Sequence, residues 1–588
     1  MNSIRREAVK KIEEVLIAMA RLRGVDTSLI GADQIVAERP PRVEMGDIAF
    51  PMFPFAKLFR AAPPQIAKEV AEALTEQGLP DGVEGATALG PYVNVSYDRT
   101  SYIRRTLGAI EREGASYGQT SALAERRVTV EFSCPNTNKP LHLGHLRNDA
   151  LGESVSRILK ANGAQVRKVN LINDRGIHIC QSMVAYTRLA EGKTPESEGV
   201  KADHFVGSYY VKFHELAKTD PTAAQEAREL LKKWESGDPA TIALWKTMNS
   251  WAIGGIQKTY DRTGVSFDQI YYESETYLSG KSEILRGLEA GLFEKEADGA
   301  ITVDLTEAGL EKKVLLRGDG TSLYVTQDIG TALARYRDWP FDRLVYVVAS
   351  EQKYHFAVLF RVLAMLGYQW ATNLYHLAYG MVNLPEGRMK SREGTIVDAD
   401  DLISQLAQMA ADEIREKERE EAVGDLDATA EKVALGALHY YLLQASPNRD
   451  MVFNPKESLS FTGNTGPYLQ YMGARICSML RKDSGRNDVP VAQIDPSAFT
   501  VEDEWEMARL LAEFPEAVAL AGEGYNPSVL TAYLYDLAKV FSRYYHDNPI
   551  ATFSDEKVRK ARVSLAKSVL QVFRNAFELI GVPFLEVM

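Results

Sequence analysis

At 588 residues the chain exceeds the roughly 250–300 residues at which a single hydrophobic core stops growing, so about three or four domains are expected. A composition of 45% hydrophobic and 25% charged residues excludes disordered, collagen-like and membrane-spanning classes and describes a soluble globular protein. A net charge of −12 gives slight weight against a protein that coats nucleic acid through its global field, while a local basic patch on one face stays compatible with it.

In chain order, residues 3–22 place Ile4, Ala8, Ile12, Val15, Met19 and Leu22 at spacings of three and four among Arg, Lys and Glu, which predicts an amphipathic helix. The longest apolar run there, Val15 to Ala20, is shorter than a signal-peptide core, so no export signal is expected. An apolar stretch around Phe50 to Leu58, a helix at Ala67 to Gln77 and a strand at Tyr92 to Val95 complete an α+β N-terminal domain, residues 1–120. From Arg127 the pattern becomes strand (Val128 to Phe132), loop, helix (Gly144 to Leu159) and strand (Val166 to Ile172). Such a unit makes a parallel pair with a right-handed crossover, and ligands of open parallel sheets bind outside the carboxyl ends of the strands. The loop Ser133 to Leu143 lies there.

Residues 185–300 carry a mostly helical, charged pattern and are expected to be an insertion. Thr302 to Leu305, Lys313 to Arg317, Leu344 to Ala349 and His376 to Tyr379 are expected to be the second half of the sheet. These elements make a Rossmann-type parallel-sheet domain with helical insertions over residues 121–400. Residues 401–588 have helical periodicity, as in Val529, Leu530, Tyr533, Leu534, Leu537, Val540, Phe541 and Tyr544, and form an all-α C-terminal domain. The fold class is therefore α/β with two appended domains. Cys134, Cys180 and Cys477 are scattered without zinc-ligand spacing, which fits a reducing cytoplasm and gives no protein-held metal site.

Two segments carry chemistry. Pro140-Leu141-His142-Leu143-Gly144-His145 opens a helix directly after a strand and loop. A helix start is expected to offer unpaired N–H groups to phosphates, Gly144 lets a base approach the backbone, and two imidazoles can donate to the pentavalent phosphate of adenylyl transfer. The alternative is a pair of ordinary surface histidines. Gly387-Arg388-Met389-Lys390-Ser391-Arg392-Glu393-Gly394-Thr395 is a basic loop bounded by glycines, which could fold over a triphosphate or be a solvated turn.

Together these segments resemble the His-Ile-Gly-His and Lys-Met-Ser-Lys-Ser signatures of class I aminoacyl-tRNA synthetases. Within that class Val130 to Asn148, Val169 to Gly176, Asp319 to Asp328, Gly380 to Asp398, Phe461 to Arg475 and the terminal helices with Phe541 to Tyr545 and Met588 resemble arginyl-tRNA synthetases over nearly the whole chain. The resemblance implies a ligase that forms arginyl-adenylate from L-arginine and ATP, with Mg2+ accompanying the triphosphate, and passes arginine to the 3′ end of tRNA(Arg). It further implies a dependence of activation on bound tRNA, and a cytoplasmic monomer without a membrane partner is expected. His142, Gly144, His145, Met389 and Ser391 would hold ATP, with Arg388 and Lys390 as catalytic cations. The chain departs from the second signature, since Arg388 and Ser391 stand where lysines are usual. Lys139, just before the first signature, is the candidate replacement.

A pocket for arginine must meet a planar fork of five N–H donors with carboxylates and other acceptors. The resemblance places Glu131, Asn136, His145, Tyr324, Asp328 and Gln352 around the amino acid. Asp328 and Glu131 would supply negative charge, Tyr324 and Gln352 would shape the pocket, and Asn136 would hold the α-amino or carboxylate end. Glu131 is equally open to being a strand residue paired with a core arginine, and Tyr324 to being core. For tRNA, Tyr468, Tyr471, Tyr545 and Met588 are candidates at the anticodon, and Asn94 and Tyr97 at the outer corner near the D-loop. The tyrosines are also open to being core. The rivals are another HxGH nucleotidyltransferase, a non-catalytic tRNA-binding paralogue and a class I synthetase for a different amino acid.

Overall fold

The computed structural model describes residues 3–385, 397–483 and 485–588. It divides into two compact units: Met1–Gly118 with Arg475–Ala517 and Tyr533–Asn575, and Gln119–Ala474 with Val518–Ala532 and Ala576–Met588.

The second unit is built on five parallel strands, β1 Arg127–Glu131, β2 Gln165–Ile172, β3 Gln269–Tyr272, β4 Arg343–Ala349 and β5 Leu374–Tyr379. Their order is β5-β4-β1-β2-β3. Strands covered by helices on both faces read as continuous apolar runs, and Leu344, Val345, Tyr346 and Val347 are all buried. The helix Leu143–Ala161 carries the chain from β1 to β2, as expected from the strand–loop–helix–strand pattern. Winding reverses between β1 and β4. The crevice outside the carboxyl ends of these two strands is where such sheets bind ligands.

One expectation is corrected. Ile301–Val303 and Lys313–Leu316 do not join this sheet but pair antiparallel, with Glu294–Lys295, in a separate three-stranded sheet. The connection between them is too short for the crossover of a dozen or more residues that a parallel pair needs. The stretch 185–300 is mostly helical, as expected. It includes β3, which pairs with β2 from Val169↔Gln269 to Ile172↔Tyr272. Its helices include Ala202–Thr219, Thr222–Glu235 and Pro239–Thr263.

In the first unit the helix Ser3–Leu22 buries Ile4, Ala8, Ile12 and Val15 as its spacing predicts, whereas Leu22 at its end is exposed. An antiparallel sheet follows in the order Ile48–Pro51, Tyr92–Tyr97, Val83–Leu89. The helix Pro63–Gln77 packs on it. This N-terminal segment shares a core with parts of the C-terminal helices: Tyr117 Oη donates to Leu511 O at 2.8 Å, and Asn575 Nδ2 donates to Gly114 O and Tyr117 O, both at 2.9 Å. Beyond residue 400 the chain is helical as expected, including Leu426–Leu443, Glu502–Glu523, Ser528–Asp547 and Glu556–Leu579. Among the described residues no helix is long and apolar enough to cross a membrane.

Candidate active site

At the carboxyl end of β1 the backbone turns sharply, with Ser133 at φ 72° and Cys134 at φ 49°. Two consecutive left-handed residues with side chains cost roughly 1–2 kcal/mol each and persist only where the surroundings over-determine them. Here they are held on every side. Ser133 N–H donates to Asn148 Oδ1 at 2.6 Å and Cys134 N–H to Asn170 Oδ1 at 3.0 Å. Asn148 Nδ2 donates in turn to Val347 O and Tyr379 Oη, tying the turn to β4 and β5. Ser133 Oγ and Asn170 Nδ2 both reach Tyr260 Oη, at 2.7 and 3.1 Å.

The turn delivers the chain to the helix start. His142 is its N-cap, and its Nδ1 accepts from Gly144 N–H at 3.1 Å, while His142 N–H donates to His145 Nδ1 at 3.1 Å. The rings lie 4.0 Å apart. Burial, with Lys139 adding to it, pushes His142 down to about 4, and burial pushes His145 well below its ordinary value. Both imidazoles are therefore neutral at pH 7. With each Nδ1 accepting a backbone N–H, the proton of each sits on Nε2, leaving two outward donors. This corrects the expected source of phosphate contacts. The N–H groups at the helix start are not unpaired, because Leu143 donates to Val397 O and those of 145 and 146 go to His142 O. The glycine has a local reason too: a Cβ at Gly144 would stand 2.9 Å from His142 Cε1, so the ring can fold over this position only when it is glycine.

Lys139 is half-buried just ahead of this start, and burial lowers its pKa. Arg388, Met389, Lys390 and Ser391 lie outside the described residues.

The arginine candidates separate by environment. Glu131 is buried and ion-paired with Arg335, itself buried. Burial raises its pKa and Arg335 counters, while burial of the guanidinium is overridden by Glu131, which holds Arg335 charged. Its charge is already matched, which is the core-arginine reading of this residue and corrects its assignment as a free pocket carboxylate. Asp328 is different: its carboxylate is 30% exposed and lies 2.5 Å from His355 Nε2. Tyr324 opens the helix Tyr324–Asp338 and is 72% exposed, so it is not core. Four residues apart, Tyr324 and Asp328 share one helix face. Asn136 and Tyr324 line one cavity of about 890 Å3 together with Arg175, Glu273 and Gln327. Gln352 is exposed at the start of the next helix, Lys353–Met365.

Of the tRNA candidates, Asn94, Tyr97 and Met588 are buried. Tyr97 stacks on Tyr102 at 5.2 Å, burial pushes its phenol up, and the Met588 carbonyl accepts from Arg419 at 3.1 Å. These three are core residues, and a base could stack on none of them without opening the fold. Tyr468, Tyr471 and Tyr545 are half-buried, and the Arg475 guanidinium lies 4.1 Å from the Tyr545 ring centroid.

The residues that hold the site in shape escaped sequence reasoning. Asn148 and Asn170 left a signal, since each interrupts an apolar helix or strand face. Arg335, His355 and Tyr260 left none. Asp149, one turn beyond His145, is fully buried and neutral at pH 7, because burial pushes its carboxyl up to about 8.

A Rossmann-ordered sheet whose first crossover helix opens on paired neutral imidazoles at the switch point is the catalytic domain of a class I aminoacyl-tRNA synthetase. Residues 107–455 match the family model for "tRNA synthetases class I (R), catalytic domain", residues 469–588 the "DALR anticodon binding domain", and residues 6–97 the "Arginyl tRNA synthetase N terminal domain". The chain is 56% identical to the arginine–tRNA ligase of Treponema denticola over 95% of both chains, and 44% identical to that of Borrelia hermsii over 100% of both. Its fold is similar to the arginyl-tRNA synthetase of Thermus thermophilus, with a TM-score of 0.79 at 27% identity, covering 98% of this chain and 100% of that one. The Plasmodium falciparum enzyme shares the fold, at a TM-score of 0.76 and 20% identity over 98% of both chains. The chain belongs to the arginyl-tRNA synthetase (arginine–tRNA ligase) family.

Proposed function

We propose that the crevice beside β1 and β4 joins L-arginine to ATP, releasing pyrophosphate, and then presents arginyl-adenylate to the 3′-terminal ribose hydroxyl of tRNA(Arg), releasing AMP. The observation that carries this reading is the reciprocal cap of His142 and His145. It fixes two neutral rings whose Nε2–H groups cannot turn inward, so they are preorganised to donate to the α-phosphate oxygens as charge builds there. A donor set fixed in advance needs no reorganisation in the transition state. Lys139 supplies positive charge from the upstream side. Asp328 is the carboxylate for the guanidinium, with Tyr324 one turn ahead of it on the same helix face, Gln352 as a further acceptor and Asn136 at the α-amino and carboxylate end. Glu131 acts indirectly, by holding Arg335.

Magnesium enters only as the companion of the triphosphate, whose oxygens and water are its usual ligands. Among the described residues the one trio with metal-ligand chemistry is Asp203, His204 and Asp400, and the Lys201 ammonium lies 2.8 Å from both aspartates. That trio, already neutralised by the ammonium, does not fit a metal. Tyr468, Tyr471 and Tyr545 are the remaining base contacts, on a C-terminal domain at 401–588. Residues 1–120 serve the tRNA corner, and the enzyme works as a cytoplasmic monomer.

Aminoacylation of bulk tRNA with each amino acid in turn tests the reading, and charging by any amino acid other than arginine would overturn it. Asp328→Asn should raise the Michaelis constant for arginine by about tenfold or more, the loss of one charge-assisted hydrogen bond. An unchanged constant and turnover would remove Asp328 from the pocket.

A further inference from the structure

The segment Val397–Ala399 runs as a short strap along the helix start that carries His142. Leu143 N–H donates to Val397 O at 3.2 Å, Ala399 N–H donates to Leu141 O at 3.0 Å, and His142 and Asp398 form an antiparallel bridge. The strap leads into the helix Ala399–Glu416, which Asp398 caps by accepting the N–H groups of Asp400 and Asp401 at 2.9 and 3.1 Å. Its other side is gripped by the inserted helices. Lys201 Nζ donates to Asp400 at 2.8 Å, to Asp203 at 2.8 Å and to Thr259 Oγ1 at 2.7 Å, and Thr259 Oγ1 donates to Asp400 at 2.9 Å. Arg262 Nη1 donates to Asp400 O at 2.9 Å, and His204 Nε2 lies 3.1 Å from the Asp398 carboxylate. The helix that carries His204 also meets the chain just ahead of the histidines. A Cβ on its Gly207 would stand 2.7 Å from Pro140 Cδ and 3.5 Å from Lys139 Cα.

We propose that Lys201 and His204 are positioning residues: they lock the strap 397–399, and the strap fixes the orientation in which His142 meets ATP. The inserted helices thereby hold the first signature from outside the sheet. Lys201 fills the place between Asp203 and Asp400, so the ammonium is the structural cation of this cluster. Loss of its charge leaves the fully buried Asp203 carboxylate facing the partly buried one of Asp400, and the strap has to move to relieve them.

The inference rests on His142 acting at the phosphate, and the experiment separates the two. Pyrophosphate exchange is measured in the presence of tRNA for Lys201→Met, His142→Asn and the double variant. Lys201→Met should lower kcat by about tenfold or more, as small misplacements of reacting groups do, with the Michaelis constants for ATP and arginine within about threefold of the parent. In the His142→Asn background the same substitution should cost less than about threefold, because it acts through a group already removed. A His142→Asn enzyme of normal rate would sink the catalytic reading itself. A rate-lowering His142→Asn with a fully multiplicative Lys201→Met would sink the latch alone, as would a Lys201→Met enzyme of normal rate. If Lys201→Met does not fold, His204→Gln, which removes the imidazole from beside Asp398 at 3.1 Å and Asp400 at 3.9 Å, is put through the same cycle with the same two outcomes.

Discussion

Replacing Glu131 by Gln should destabilise the catalytic unit by about 3–5 kcal/mol, because it leaves the Arg335 guanidinium buried without its counter-charge. The structure sets that size. Arg335 is 2% exposed, and its Nε and Nη2 have no other hydrogen-bond partner among the described residues. The rings of Tyr271 and Tyr346, at 5.5 and 5.8 Å, give only modest cation–π support. Arginine cannot escape by losing its proton. The reverse substitution, Arg335→Met, leaves a carboxyl that can escape, since burial already raises the Glu131 pKa. The sign follows: the unfolded chain ionises near the ordinary value of 4.5, the folded one later, so the Arg335→Met defect grows as pH rises above about 4.5. Combining the two substitutions should recover about 2–3 kcal/mol relative to additivity. Urea unfolding followed by fluorescence, with pyrophosphate exchange in parallel, measures both. A Glu131→Gln defect below about 1 kcal/mol would refute the assignment as a core pair. So would a double variant that regains stability while its Michaelis constant for arginine stays raised by about a hundredfold.

Three further outcomes are expected. His145→Asn should lower the rate of adenylate formation by about 10²–10³, typical of one lost oxyanion donor, and with His142 pushed down to about 4 the parent enzyme should show no acid limb from these rings between pH 8 and pH 5; a fall centred near pH 6.5 that His142→Asn abolishes would contradict this. Lys139→Ala should lower adenylate formation by at least about a hundredfold, and near-normal pyrophosphate exchange would remove it from the mechanism. The Asp149 carboxyl, at about 8 when folded against an ordinary 3.8, holds its proton in the fold and loses it on unfolding, so its contribution to stability declines with rising pH between those values; Asp149→Asn should melt progressively higher than the parent as pH goes from 5 to 8, by at most about 1.4 kcal/mol per pH unit, and a gap that does not change with pH would refute it.

The local part of this architecture was legible. Apolar periodicity located the helix Ser3–Leu22 and the run β1, Leu143–Ala161, β2, because each depends on neighbours within a few residues. The HxGH segment was legible as a helix start for the same reason. What its residues do with their hydrogen bonds was not. The reciprocal cap consumes the N–H groups that a bare helix start would offer, and the donors move to Nε2. Strand identity without partner also misled. Ile301–Val303 and Lys313–Leu316 have strand composition, yet composition does not say which sheet a strand joins, and the short β3 was hidden among helices. The N-terminal tRNA candidates failed on burial, since Asn94 and Tyr97 sit inside a core shared with helices from the far end of the chain. Truncating residues 1–120 would therefore strip that core as well as any tRNA contact, and exposed point substitutions are the cleaner probe.

Glu131 and Asp328 show where the limit lies. In sequence they are two carboxylates with one assigned chemistry, and nothing within either segment distinguishes them. In the structure one is matched by a buried guanidinium brought in from a helix two hundred residues away, and the other stands partly exposed beside a histidine. A second guanidinium, that of the substrate, gains most from a carboxylate whose charge has no full partner, and Asp328 is that group. The two substitutions should therefore separate cleanly. Asp328→Asn moves the Michaelis constant for arginine and leaves the denaturant midpoint within about 1 kcal/mol of the parent, whereas Glu131→Gln moves the midpoint first and reaches arginine only through the displaced Arg335.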